Sequence, residues 1–253
     1  MGARAVARNA LRPGYFPEMA RKVYLRARYG RREREAATNW AKSHAQDMAQ
    51  WAMVLDSDLW DEAAAFGEHM KLLAAPRVAE LAAKGIDLGG GGGSELLYFL
   101  ARLLRPDHIV ETGVAAGWST TALLGAIQAN GHGHLHSSDF PYFRMDEPEQ
   151  YVGYLVPDEL RSPWSLYLDG DRRNLEKILR PGLEVGLAHY DSDKSRAGRK
   201  FFLDAVTPHL AADAVVVMDD INDDLFFRDV TTERAVRPVV FPYGGKYVGV
   251  LGL

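Results

Sequence analysis

Cysteine is absent from the 253-residue chain, which excludes disulfides and thiolate metal sites and makes a cytoplasmic location the default. Any metal must then sit on oxygen or imidazole ligands. No run of about eighteen apolar residues occurs, so neither a membrane-spanning helix nor stable membrane insertion is expected. The opening residues, MGARAVARNALRPGYF, lack the apolar centre of a secretory signal. Internal repeats are missing too. What is present suffices for one α/β core with an appendage: 47% of residues are hydrophobic and 25% charged.

Charge is unevenly spread. Residues 1–35 carry ten Lys and Arg against three Glu, a local charge of +7, while the rest holds 20 basic and 31 acidic side chains, or −11. A basic arm of this kind suits a solvated role or the clasping of a partner subunit, and a homodimer formed by arm exchange is expected. The acidic body argues against nucleic acid as a partner.

Residues 15–84 read mostly as helix, with a break near Pro76 and a stop at Gly85. Residues 89–93 are five consecutive glycines, which read as a flexible joint because a regular element there loses much backbone entropy. Ser94, with Glu95, is read as the cap of the helix ELLYFLARLL. Beyond Pro106 the segments HIVETG, GHLHSSDF, WSLYLDG, VGLAHYDSD and 212–220 read as strands. The helices WSTTALLGAIQAN, DRRNLEKILRPG and SRAGRKFFLDAVTPHL lie between them. An irregular polar segment leads to two last strands, RPVVFP and KYVGVLGL, whose turn YGGK is too short for a parallel crossover. The pattern predicts a Rossmann-like α/β fold: a seven-stranded, mostly parallel sheet with an antiparallel last strand and an N-terminal helical extension.

In such a sheet, ligands sit beyond the carboxyl ends of the strands. Nearly every strand here ends in an acid: Glu111, Asp139, Asp169 with Asp171, Asp191, and Asp219 with Asp220. Singly, each is a turn former or helix cap. Five in order make a rim of hydrogen-bond acceptors around one crevice. The corner VETGVAAGWS lacks the third glycine of GxGxxG, and the Walker lysine pattern is absent. Such a rim repels a pyrophosphate and suits a cationic ligand with free ribose hydroxyls; S-adenosylmethionine has both features. Asp139 is placed to accept from two ribose hydroxyls and Asp171 to take the adenine amino group.

The succession VETGVAAGWST, HSSDFP, YLDGDRRNL, AHYDSDKS and VVVMDD resembles the class I S-adenosylmethionine-dependent methyltransferases. It is most similar to the bacterial O-methyltransferases of sugars and natural products, the methyltransferase-24-like branch that includes actinobacterial glycan enzymes. The resemblance implies a cofactor-binding domain over residues 89–253, preceded by a helical extension, 1–88, for capping, dimerisation or acceptor binding. It implies Glu111, Gly113 and Gly117 around the methionine part of the cofactor, with Ser119 opening the helix behind them. Asp139 is then on the ribose, and Gly170 and Asp171 are near adenine. Residues 89–93 either close over the cofactor or serve as a plain linker.

Asp191 and the pair Asp219–Asp220 end neighbouring strands, so three carboxylates should converge and repel unless a cation joins them. Oxygen ligation suits Mg²⁺, and the arrangement is similar to metal-dependent O-methyltransferases, although the pair here is Asp-Asp rather than Asp-Asn. Asp193, Asn222 and Asp223 are candidates for a further ligand. For removal of the acceptor proton the candidates are His189, two residues before Asp191, and Lys194, with His136 a weaker third. The acceptor pocket is expected from the N-terminal helices and from residues 140–163, where Tyr142, Phe143, Tyr151 and Tyr154 fall, with Trp164 just beyond. A sugar hydroxyl on a polysaccharide or glycolipid precursor is the expected acceptor, with a catechol-like phenol as the alternative. An NAD-dependent oxidoreductase and a non-catalytic binding module remain as readings from other classes.

Overall fold

The computed structural model describes residues 3–12, 15–29, 33–90 and 93–252. Five strands form the parallel part of its sheet: β1 (His108–Thr112), β2 (His134–Ser138), β3 (Trp164–Tyr167), β4 (Val185–Tyr190) and the strongly apolar β5 (Leu210–Met218). β6 (Val239–Tyr243) and β7 (Lys246–Leu251) complete it, in the order β3-β2-β1-β4-β5-β7-β6. β7 runs antiparallel to both β5 and β6, as the tight turn at residues 244–245 requires. The sheet order reverses at β1 and β4, so the ends of these two strands flank the switch point where ligands bind.

Helices α1 (Ala3–Ala10), α2 (Tyr15–Tyr29), α3 (Arg34–His44), α4 (Met48–Leu55) and α5 (Ser57–Ala83) precede the sheet, and α6 (Ser94–Leu104) leads into it. Asp47 and Asp56 start α4 and α5 by accepting from the amides of Gln50 and Leu59 at 2.8 and 2.9 Å. The predicted break at Pro76 does not occur. The helix runs through it because Leu72, whose carbonyl loses its usual partner, lies on the solvent face. Ser94 is likewise not a cap: α6 begins there, and Gly93 holds the cap position in the left-handed region at φ +56°. Within the sheet, α7 (Trp118–Asn130), α8 (Asp171–Ile178) and α9 (Arg196–Val206) match the expected helices. The polar segment before β6, expected to be irregular, contains α10 (Phe226–Glu233), which buries Phe226, Phe227 and Val230.

One core cluster packs Trp60, Ala63 and Met70 of α5 against α6, α7 and the inward residues Ile109, Leu135 and Val217. A second, on the other face, joins Ala41 of α3 to Val110, Phe202 and Phe227. Helices α3, α4 and α5 therefore share the sheet's core. No described helix is long and apolar enough to cross a membrane.

Candidate active site

The corner between β1 and α7 is shaped by backbone conformation. Gly113 (φ +88°) and Gly117 (φ +100°) both occupy the left-handed region, which glycine adopts without steric cost. A Cβ on Gly113 would stand 2.2 Å from the carbonyl oxygen of Asp191, so glycine is what lets β1 and β4 end side by side. Asp139, half-buried at the end of β2, braces this corner. Its carboxylate accepts from the amides of Val114 at 3.1 Å and Ala115 at 2.7 Å, and from Phe140 at 2.6 Å.

Glu111 does not face the crevice. It is fully buried beneath the corner and accepts from the hydroxyls of Ser119, Thr120 and Ser137 at 2.6, 2.8 and 2.7 Å. Ser119 is the second residue of α7, whose cap is Gly117, so its hydroxyl anchors the helix to β1. Asp171 opens α8 and bridges strand ends: Ser138 donates to it at 2.7 Å, and Ser192 donates to its other oxygen. Gly170, just before it, is buried at φ +82°.

Beneath the rim lies a buried charge chain. His189 has its Nδ1 3.8 Å from Glu111 and its Nε2 3.7 Å from Asp219, and it is 1% exposed. Burial alone would depress the imidazole, but Asp219 and Glu111 outweigh it and raise His189 to about 10. It is therefore a cation at neutral pH rather than a free base. Asp191 moves the other way from an ordinary carboxylate: burial, then Asp219, raises it, and Lys194 only partly offsets this.

The expected Mg²⁺ trio is not assembled. Lys194 Nζ stands 3.0 Å from Asp191 and also pairs with Asp220, whose other oxygen meets Lys246 at 3.0 Å. Ammonium groups thus occupy the place where a divalent ion would bind. Among the described residues, no group of three carboxylate or imidazole side chains gathers closely enough to hold a metal. The further ligand candidates are engaged elsewhere: Asp193 with Arg21 at 2.8 Å, Asn222 with the amide of Tyr247 at 3.3 Å, and Asp223 with Arg34 at 3.4 Å. His136 is also removed from the crevice. It lies beside His108 and His134, and burial, then His134, lowers it to about 4.

The crevice wall joins the corner residues Gly113, Ala115 and Ser119 to Asp191 and Asp219, with Leu88 and Gly90 opposite. The glycine run thus does reach the crevice, although residues 91 and 92 lie outside the described residues. Of the expected acceptor aromatics, Tyr142 has a half-exposed ring, and its hydroxyl is raised by burial, then by Asp139 and Asp191. Trp164 instead packs against Gly153 and donates to Ser137 at 2.9 Å, and Tyr154 donates to Glu80.

Arg199, on α9, gives no signal in a motif search. It is fully buried and donates to the carbonyls of Asp219 at 3.2 Å and Asp220 at 2.7 Å, holding Asp220 in the left-handed region at φ +52°. Its spacing with Phe202, Leu203 and Val206 puts it on the helix's apolar stripe, and that was the available signal.

Residues 110–221 match the family described as "Methyltransferase domain". No curated protein sequence matches the chain. Among solved structures, the O-methyltransferase TomG of Streptomyces achromogenes, in complex with S-adenosylmethionine, is 16% identical with a TM-score of 0.55, covering 70% of this chain and 87% of that one. An O-methyltransferase of Bacillus cereus, in complex with S-adenosylhomocysteine, is 12% identical with a TM-score of 0.56, covering 75% and 97%. A methyltransferase of Geobacter sulfurreducens is 17% identical with a TM-score of 0.53, covering 72% and 90%. Residues 110–221 thus resemble a methyltransferase domain in sequence, and the sheet order and glycine corner belong to the fold that these solved structures share.

Proposed function

We propose that the chain is an O-methyltransferase acting on a hydroxyl of a sugar, or of a polysaccharide or glycolipid precursor. The observation that carries this reading is the meeting of Asp191 and Asp219 with the glycine corner on one crevice wall, with Lys194 3.0 Å from Asp191. S-adenosylmethionine, when bound, supplies an electrophilic methyl group. Methylation of a hydroxyl then needs a base at the acceptor oxygen, because the neutral hydroxyl is a weak nucleophile. Asp191 fits that role: its raised carboxyl is poised nearer neutral pH than an ordinary aspartate. Asp191 would take the proton of the acceptor hydroxyl as that oxygen is methylated. Lys194 offers a donor to the developing oxyanion. His189 lies buried between Glu111 and Asp219, 3.8 and 3.7 Å from their carboxylates.

The preference for a sugar is supported by the charged groups beside the crevice. Lys194 pairs both with Asp191, which lines it, and with Asp220, donors and acceptors that suit adjacent hydroxyls, and the half-exposed ring of Tyr142 can stack on a sugar face. A divalent cation would have to displace Lys194 from Asp220, so this reading does not use one.

A screen of sugars and phenols for S-adenosylhomocysteine release tests the proposal. Asp191→Asn is expected to lower turnover at least about a hundredfold, the scale of a lost general base, while changing calorimetric S-adenosylmethionine affinity by less than about threefold. Full turnover in that variant would remove Asp191 from the reaction. Turnover is also expected to survive EDTA; its loss, with recovery on adding Mg²⁺, would reinstate the metal.

A further inference from the structure

The N-terminal arm folds back over the chain's own crevice. α2 presents Tyr15, Glu18 and Arg21, three residues apart and therefore on one helix face. Each of them meets a different strand-end loop. The Tyr15 ring packs on Phe140, after β2, with centroids 4.7 Å apart. Glu18 covers Gly170, after β3, so closely that a Cβ there would lie 3.3 Å from its carboxyl carbon. Arg21 donates to Asp193, after β4, at 2.8 Å, and its Nε returns to Glu18 at 3.0 Å. These are the loops that carry Asp139, Asp171 and Asp191. The seat is secured upstream, where buried Asn9 donates to the carbonyls of Phe143 and Met145, both at 2.9 Å, and Arg12 pairs with Glu149.

We propose that α2 is a strap over the nucleoside half of the cofactor crevice, and that Tyr15, Glu18 and Arg21 are positioning residues that retain S-adenosylmethionine once it is bound. The proposal rests on S-adenosylmethionine as the ligand of this crevice. In an open α/β sheet, the nucleoside enters over the ends of the strands on the β2–β3 side of the switch point. A helix tied to all three loops closes that side. Release of the cofactor then requires the strap to lift. The contacts with Asp193 and Gly170 are part-buried, so they are less screened than surface pairs.

The test is the release of radiolabelled S-adenosylmethionine from the full-length protein, chased with unlabelled cofactor. Tyr15→Ala combined with Arg21→Ala is expected to speed release about tenfold, the scale of losing a part-buried ion pair and a ring contact. Arg21→Asp and Asp193→Arg should each speed release, and the two together should restore it. This charge-swapped pair keeps the test informative if the first variant folds poorly. Release rates within twofold of the unaltered protein in all variants would overturn the strap alone. Failure of the unaltered chain to bind S-adenosylmethionine would overturn both the cofactor reading and the strap.

Discussion

His189 carries its charge where water cannot reach it, so its two carboxylates must hold it there. The raised imidazole links folding to pH in a fixed direction. Because the folded value, about 10, lies above the ordinary 6.5, the stabilisation is fully present below about pH 6.5 and is lost as pH rises towards 10. Replacing His189 with Leu leaves Glu111 and Asp219 buried without their cation, and breaking a buried pair in this way costs about 3–5 kcal/mol. Urea titrations from pH 6 to 10 should show stability falling across that window in the unaltered protein and a flatter, lower profile in His189→Leu. An equal slope in both would assign the pH dependence to other groups. At this scale the sequence revealed which residues end strands, because an acid after an apolar run is a local signal. It did not reveal which way each acid faces. Glu111 and Asp191 stand in the same kind of position, yet one is sealed under three hydroxyls and the other lines the crevice.

Among the elements, the glycines of the β1–α7 corner were readable, since two glycines four apart before a helix have few other uses, although the orientation of Glu111 was not. Gly113 makes the strongest case. A Cβ there meets the Asp191 carbonyl at 2.2 Å, and the left-handed conformation alone costs an L-residue roughly 1–2 kcal/mol. Gly113→Ala should therefore destabilise the fold in denaturant by at least that much, and should weaken S-adenosylmethionine binding in calorimetry by pushing β4 away from the corner. Wild-type affinity in a stable Gly113→Ala protein would count against the close approach. Elements defined by tertiary packing were harder to read. α10 has only eight residues and its polar face dominates the sequence, so its four buried residues are recognisable only against α9 and the sheet. Pro76 is a helix breaker by local rules, and only its place on the solvent side of a 27-residue helix makes it tolerable. Arg199 reads as a surface charge until the β5 end is seen to need a donor for two carbonyls.

For the whole molecule, the asymmetry of a +7 arm and a −11 body was plain from composition, but composition cannot say whose body the arm meets. Arm exchange between subunits was the expectation. In the structure three of the arm's cations find partners on the same chain: Arg8 with Asp146, Arg12 with Glu149 and Arg21 with Asp193. Arg8 and Arg12 are well exposed, so each pair contributes only about 0–1 kcal/mol and fades with salt. Reversing both charges, with Arg8→Glu and Arg12→Glu, should therefore lower the unfolding free energy by no more than about 2 kcal/mol at low salt, with the difference shrinking at high salt. Mass by light scattering separates the two arrangements. An arm held by its own chain leaves the mass of the charge-reversed protein equal to that of the unaltered one. An arm exchanged between subunits would have its clasp broken by the same reversal, and the mass would fall to that of a single chain.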